Sequence, residues 1–249
     1  MPPSLEAIIA ATVTVVATVV LRVVSVVFHI KRARRRASIK YAKNETLQSM
    51  GGCNMRRLKT CAVLGSGGHT TEMIQLISSL SSSHYTPMSF VVAKTDTTSV
   101  MRLEQLSSSS KIFTSYKIYR IPRAREVGQS YVSSVFTTLH SLFFSVTLVF
   151  FRIRPDLFIC NGPGTCLPLA ILIFILRLFR SESFPKIIFI ESFCRVKTLS
   201  LTGLVLFKLG ICDLFCVHWP ELVEKYDSPG QGDIILLSSF IEHEKFSKS

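Results

Sequence analysis

The sequence predicts an α/β fold: a single Rossmann-like, doubly wound parallel sheet behind one N-terminal transmembrane helix. Three observations carry that expectation. Short apolar strand-like runs alternate with longer apolar-faced stretches at the spacing of βαβ units. Two strand-to-helix junctions are rich in glycine, and a long apolar run lies near the N-terminus.

The apolar run is Ala7–Ile30, interrupted only by Arg22 and His29. Crossing about 30 Å of hydrocarbon takes about 20 apolar residues. Its many Val and Thr residues disfavour a helix in water, but in lipid the backbone has only itself to hydrogen-bond. A cleaved signal peptide needs a basic start and a short core; here no Lys or Arg precedes the run, and the run is too long. The expected organisation is a lumenal N-terminus (1–6), an anchor (7–30), a basic linker (31–57), a Rossmann-like domain (58–226) and a C-terminal tail (227–249). Residues 31–59 hold ten Lys/Arg against Glu45, a large part of the chain's net +13. Positive charge stays on the cytosolic side, so the domain is expected to face the cytosol. The sequon Asn44-Glu45-Thr46 then stays unmodified. The basic block suits anionic headgroups. No basic face interleaved with aromatics follows it, which argues against a nucleic-acid partner. The seven cysteines form no CxxC pair, and Cys212 and Cys216 have no complementary pair. Free thiols in a reducing cytosol are expected, with no metal site.

Within the domain, Leu58–Leu64 reads as a buried strand and Gly65-Ser66-Gly67-Gly68 as a tight loop. Thr70–Leu80 has helical spacing, with Met73, Leu76, Ile77 and Leu80 on one face. Ser89–Lys94 is a second strand, Ser107–Ser110 a polar loop, and Ile112–Ile121 a third strand. Tyr131–Phe151 is a long helix closed by Arg152–Pro155, and Leu157–Cys160 a strand leading into a second glycine loop. Cys166–Phe179 is too short to span and carries Pro168 and Arg177, so it is expected as a buried helix. Lys186–Glu191, Thr198–Leu209, Leu214–His218 and Trp219–Tyr226 complete the alternation as strand, helix, strand and short helix.

The segment VLGSGGHTTE (63–72) is the strongest chemical signal. A glycine loop between strand and helix brings backbone N–H groups and a helix N-terminus to an anion. The dinucleotide pattern fails, because Thr70 holds the third glycine position and the next strand ends in Lys94, with no acid for a ribose. Walker A fails as well, since no Gly-Lys-Ser/Thr follows. A phosphate loop with His69 at the helix start remains, beside the plainer readings of a tight turn and a structural histidine. Asn161-Gly162-Pro163-Gly164-Thr165 ends another strand, and ligands of open α/β sheets bind at the carboxyl ends of strands. Two such loops on one edge suggest a diphosphate-sized site. Glu191, Ser192 and Arg195 follow a third strand at that edge, where a bland loop carboxylate is the default for Glu191.

Five segments in this order, VLGSGGHTTEM, IYRIPRAREVGQS, VFTTLHS, PDLFICNGPGT and IESFCRVKTLSLTG, carry a family resemblance. Over about residues 58–226 the chain resembles the asparagine-linked glycosylation protein 14 family. These are the membrane-anchoring subunits of the eukaryotic UDP-N-acetylglucosamine transferase that makes the second sugar addition to the dolichol-linked oligosaccharide. It resembles more distantly the N-terminal half of the bacterial transferase that adds N-acetylglucosamine to lipid-linked muramyl peptide.

The resemblance implies half of a split GT-B enzyme at the endoplasmic reticulum membrane, continuous with the nuclear envelope. This chain would supply the acceptor side and a soluble catalytic subunit the UDP-GlcNAc side, as a heterodimer inactive without both. Gly65, Ser66, Gly67, Gly68, Asn161, Gly162, Gly164 and Thr165 would face the diphosphate of dolichyl-diphosphate-GlcNAc. His69 would be the general base, supported by Glu72, Glu191 and Arg195. The family docks its catalytic subunit through the extreme C-terminus. Here Asp227–Ser249 is longer than the family pattern, and Ile234, Ile235, Leu236 and Leu237 are taken as the docking residues. No cofactor or metal is implied, and the GlcNAc-phosphate transferase of the preceding step is a further candidate partner. Two alternatives come from other classes: a self-sufficient membrane-bound sugar-phosphate transferase, and a non-catalytic membrane scaffold. Neither explains a missing donor half together with two anion-ready loops.

Overall fold

The computed structural model describes residues 4–42, 57–109, 116–123, 130–180, 185–227 and 233–237. Seven strands form one parallel sheet: β1 (Thr60–Leu64), β2 (Met88–Ala93), β3 (Tyr116–Ile121), β4 (Leu157–Asn161), β5 (Lys186–Ile190), β6 (Leu214–Val217) and β7 (Ile235–Leu236), in the spatial order β3-β2-β1-β4-β5-β6-β7. The helices are α1 (Leu5–Ala42), α2 (Gly68–Ser78), α3 (Thr97–Ser109), α4 (Tyr131–Thr147), α5 (Cys166–Phe179), α6 (Leu201–Leu209) and α7 (Pro220–Tyr226). A wider π turn, Leu148–Ile153, continues α4.

The central strands read as continuous apolar runs because both of their faces are covered. Cys61 and Val63 of β1, with Phe158 and Cys160 of β4, face a core shared with α5 and α6. Their neighbours Ala62, Leu64, Leu157 and Ile159 face Met73, Ile74 and Ile77 of α2 and Leu103 of α3. The strand period of two thus sorts one sequence into two cores. The expected doubly wound fold is present, and Cys166–Phe179 forms the buried helix that the sequence predicts.

Three elements differ from expectation. Helix α3 runs through the segment expected to end in the polar loop Ser107–Ser110. Asp96 Oδ1 accepts from Ser99 N at 3.1 Å, and Val100 and Leu103 are buried three residues apart. A cap plus a short apolar stripe thus makes a helix from a serine-rich sequence. The basic segment from residue 31, expected as linker, is helical as far as Ala42, because α1 docks on the domain. Val26, Ile30 and Arg34, spaced by four, are buried; Arg34 Nε donates to Cys212 O at 2.6 Å, and its Nη1 lies 3.4 Å from Asp233 Oδ1. Ile234–Leu237 is no free tail: Ile235 and Leu236 form β7, and Ile234 is buried in the larger core. The rest of the 31–57 linker and residues 238–249 lie outside the described residues.

Cys61, Cys160, Cys166, Cys212 and Cys216 are buried; burial disfavours the thiolates of Cys61 and Cys160 and pushes Cys212 and Cys216 up to about 12. They pack as small apolar groups. At the amino edge of the sheet Arg177, fully buried, meets Asp213 at 2.7 Å, and Lys186 meets the other oxygen at 2.9 Å. The same carboxylate accepts from Ile187 N at 2.9 Å, tying α5 to β5 and to the start of β6. Asp213→Ala is expected to lower stability by about 3–5 kcal/mol, the range for stripping one partner from a buried ion pair. Denaturant unfolding of the detergent-solubilised chain measures it, and a loss below 1 kcal/mol would refute the assignment.

Candidate functional site

Strand order reverses between β1 and β4, which pair with each other at the centre of the sheet. Chains leaving their carboxyl ends diverge there and open a crevice, the usual ligand site of such sheets. Both glycine loops sit at this point. The first, Gly65–Gly68, follows β1 and opens α2; the second, Gly162–Thr165, follows β4 and opens α5.

The loops interlock. A Cβ on Gly65 would stand 2.6 Å from Pro163 Cγ, and one on Gly162 only 2.5 Å from His69 Cε1. Backbone of one loop and side chains of the other fill the same space, so glycine is required at both positions. Gly67 needs glycine for another reason: its φ is 67°, in the left-handed region. Cβ atoms at Gly67 and Gly68 would meet only open space, and no side chain caps α2. The first N–H groups of that helix are therefore available to an anion. In the second loop Cys166 N and Leu167 N bond to Pro163 O and Gly164 O, so Gly164 N and Thr165 N are the donors it can offer. Thr165 itself is nearly buried.

The first loop is braced from beneath. Thr70 Oγ1 donates to Gly65 O, Ser99 Oγ also reaches that carbonyl at 2.9 Å, and Asp96 Oδ2 lies 2.6 Å from Ser99 Oγ. Arg102 Nη1 donates to Gly67 O at 3.1 Å and to Thr71 Oγ1 at 3.0 Å. Sequence reading missed Asp96, Ser99 and Arg102, because they lie on the unforeseen α3 or directly before it.

His69 packs its Cε1 corner against Gly162, with a third of its side chain exposed. Its Nδ1 is buried without a hydrogen bond, and Glu72 Oε2 sits 3.7 Å away. Asn161 Nδ2 donates to His69 O at 2.9 Å and approaches Glu72 Oε2 at 3.5 Å. The other Glu72 oxygen accepts from Ser192 Oγ at 3.0 Å and Phe193 N at 3.2 Å. One carboxylate thus gathers α2, the end of β4 and the loop after β5 around the histidine. Asn161 Oδ1 is also buried without a partner.

Glu191 does not open onto this crevice. It is fully buried and accepts from Ser192 N through Oε1 and from Ser200 N and Oγ through Oε2. Ser200 in turn caps α6 by accepting from Gly203 N at 3.0 Å. Glu191 shapes the loop after β5. Arg195 is exposed on that loop, where its N–H bonds Ser192 O. The sequence did not single out Phe193, His218 and Trp219, whose rings cluster edge-on and tilted beside Glu72. Ring centroids of Phe193 and Trp219 are 4.9 Å apart, those of Phe193 and His218 5.6 Å apart, and Trp219 Nε1 donates to Phe193 O at 2.7 Å. Burial holds the His218 pKa below its usual value, against the opposing pull of Glu72. Strand-end position was the only signal for them. Among the described residues no three His, Cys, Asp or Glu side chains are grouped to hold a metal ion.

Gly162→Ala should force the His69 ring aside and lower stability by about 1–3 kcal/mol, the usual cost of overpacking. Adding His69→Ala should recover the packing part of that loss, since the ring is what the methyl meets, while the strain of an L-residue at the Gly162 φ of 29° remains. Unfolding midpoints of the two single variants and the double variant measure the coupling; additive losses would refute the packing argument.

Residues 60–231 match the family model described as oligosaccharide biosynthesis protein Alg14 like. The chain is 44% identical over 186 residues to the UDP-N-acetylglucosamine transferase subunit ALG14 of Homo sapiens, covering 72% of this chain and 84% of that one. The protein of the same name from Rattus norvegicus is 46% identical over 170 residues (66% and 76%), and that of Schizosaccharomyces pombe 41% over 164 residues (65% and 76%). Among solved structures, MurG of Acinetobacter baumannii is similar at TM-score 0.42 and 15% identity, over 65% of this chain and 42% of that one. With the match spanning the whole described sheet apart from β7, this chain belongs to the Alg14-like family of oligosaccharide biosynthesis proteins.

Proposed function

We propose that this chain is the membrane-bound, acceptor-side subunit of a UDP-N-acetylglucosamine transferase at the cytosolic face of the endoplasmic reticulum. Its acceptor is dolichyl-diphosphate-GlcNAc, and a soluble subunit brings UDP-GlcNAc. The relatives' name as a transferase subunit supports the reaction. The observation that carries the acceptor reading is the pair of interlocked glycine loops at the switch point, with His69 and Glu72 between them. Loop N–H groups would take the diphosphate, and the neighbouring crevice the sugar.

One sheet makes one Rossmann-like unit, and a GT-B transferase needs two, which supports a donor half carried by the soluble subunit. In the proposed step the acceptor hydroxyl oxygen attacks the anomeric carbon of UDP-GlcNAc. A glycosidic bond forms, the bond to UDP breaks, and the hydroxyl proton passes to His69. Glu72 keeps the imidazole in place and stabilises it once charged.

Turnover should appear only when chain and soluble subunit are reconstituted together. His69→Ala should then lower it by about 10²–10⁴, the usual general-base contribution, with thermal stability and assembly retained. A stable, nearly fully active His69→Ala complex would end the catalytic assignment.

The edge strand β7 is the proposed docking surface, because an edge offers unpaired backbone groups to a partner. Ending the chain after Leu237 should preserve co-purification with the soluble subunit. Ending it after Tyr226 should abolish co-purification, and it also removes Asp233 from Arg34. Loss of binding already in the longer truncation would place the contact beyond β7.

A further inference from the structure

At the carboxyl end of β5 one aromatic ring stands out of the fold beside the crevice. Phe193 is 55% exposed, and every other described phenylalanine that is more than half exposed lies on a helix. Its exposure is not that of a loose loop. Phe193 N donates to Glu72 Oε1 at 3.2 Å, Phe193 O accepts from Trp219 Nε1 at 2.7 Å, and Arg195 N closes the turn onto Ser192 O at 2.9 Å. Both backbone polar groups are taken, and the ring leans on Trp219 at a 50° tilt and meets His218 edge-on. An apolar ring left in water costs free energy, so a ring fastened in that position is a surface prepared for a ligand.

We propose that Phe193 is the platform on which the sugar of the acceptor stacks, a specificity-determining contact that rests on the acceptor-side reading above. Three observations select a sugar. Glu72 ties the platform to the histidine: its Oε1 holds Phe193 N and Ser192 Oγ, and its Oε2 lies 3.7 Å from His69 Nδ1. A molecule that brings a hydroxyl to His69 therefore has its body beside the loop after β5. Apolar ring and polar groups stand side by side, which suits a pyranose, apolar across its axial C–H bonds and polar around its rim. Those slightly positive hydrogens meet the negative face of an aromatic ring. Finally, β4 and β5 pair directly, so the platform is one strand away from the Gly162 loop. A sugar bonded straight to a diphosphate needs its two sites adjacent in this way.

Loops and ring then divide the recognition. Loop N–H groups respond to charge and accept any lipid diphosphate. The ring responds to shape and adds affinity only when a sugar with a clear C–H face is attached. GlcNAc carries its ring substituents equatorially and leaves such a face clear, whereas an axial hydroxyl would lift the sugar from the ring. A lipid diphosphate without its sugar binds through the loops alone, so the platform favours the acceptor that the preceding sugar addition has already loaded.

The test titrates the full-length chain in detergent micelles with farnesyl diphosphate-GlcNAc and with farnesyl diphosphate alone. Trp219, the chain's single tryptophan, has its ring centroid 4.9 Å from that of Phe193 and reports binding through its emission. The sugar-bearing lipid should bind more tightly than the bare one. Phe193→Ala should weaken the sugar-bearing lipid by about 3- to 10-fold, the usual worth of an aromatic contact, and leave the bare lipid unchanged. Phe193→Tyr, which keeps the ring face, should restore the difference. In the complex reconstituted with the soluble subunit, Phe193→Ala should raise KM for the acceptor and not KM for UDP-GlcNAc. Equal affinity of the unaltered chain for both lipids, or equal losses for both in Phe193→Ala, overturns the platform while the diphosphate site stands. Weaker binding of the soluble subunit with lipid affinities unchanged also overturns it and assigns the ring to a protein contact. Failure of both lipids to bind the unaltered chain removes the acceptor reading itself, and the platform with it.

Discussion

No room remains for a Cβ where the Gly65 and Gly162 loops pass each other, and this crowding governs the rest of the site. Gly65 brings the backbone of one loop against Pro163, and Gly162 lets the His69 ring rest on the backbone of the other. The histidine is therefore positioned by packing, before any hydrogen bond acts on it. Its unpartnered Nδ1 and the carboxylate 3.7 Å away are what such packing leaves. A group held by shape can keep its polar atoms for a ligand, whereas one held by hydrogen bonds has already spent them.

The acidic side chains divide their work accordingly. Asp213 and Glu191 are buried and use their oxygens on neighbouring groups, so they hold elements together. Asp96 steadies Ser99 and, through it, the Gly65 carbonyl. Glu72 alone among these stands at the crevice, a quarter exposed, with one oxygen tied to the loop after β5 and the other turned towards His69. Burial thus separates the structural carboxylates from the one suited to chemistry.

The sheet, its handed alternation and both glycine loops were legible, because strand period and loop composition are local properties of sequence. What escaped depends on distant partners. α3 is serine-rich and reads as loop until Asp96 caps it and Leu103 finds the α2 core. The basic stretch after residue 30 reads as solvated linker, yet Arg34 is buried because Cys212 O, more than a hundred residues away, accepts a hydrogen bond from its guanidinium. Glu191 and Glu72 look equally suited to chemistry in the sequence. Only Ser200, nine residues beyond Glu191, shows that its carboxylate is already occupied.

The docking of α1 has a mechanical consequence. From Arg22 onward the helix is fastened to the domain at several points: Arg22 Nε on Leu178 O, Val26 and Ile30 in the interior, Arg34 on Cys212 O. A flexible tether would let the domain tumble above the bilayer. A helix fixed along this length carries its own orientation into the domain. Because α5 packs against both α1 and α4, fixing α1 also fixes its placement relative to α4. The position of the carboxyl edge, where both glycine loops sit, relative to the N-terminal apolar helix is then a property of the folded chain.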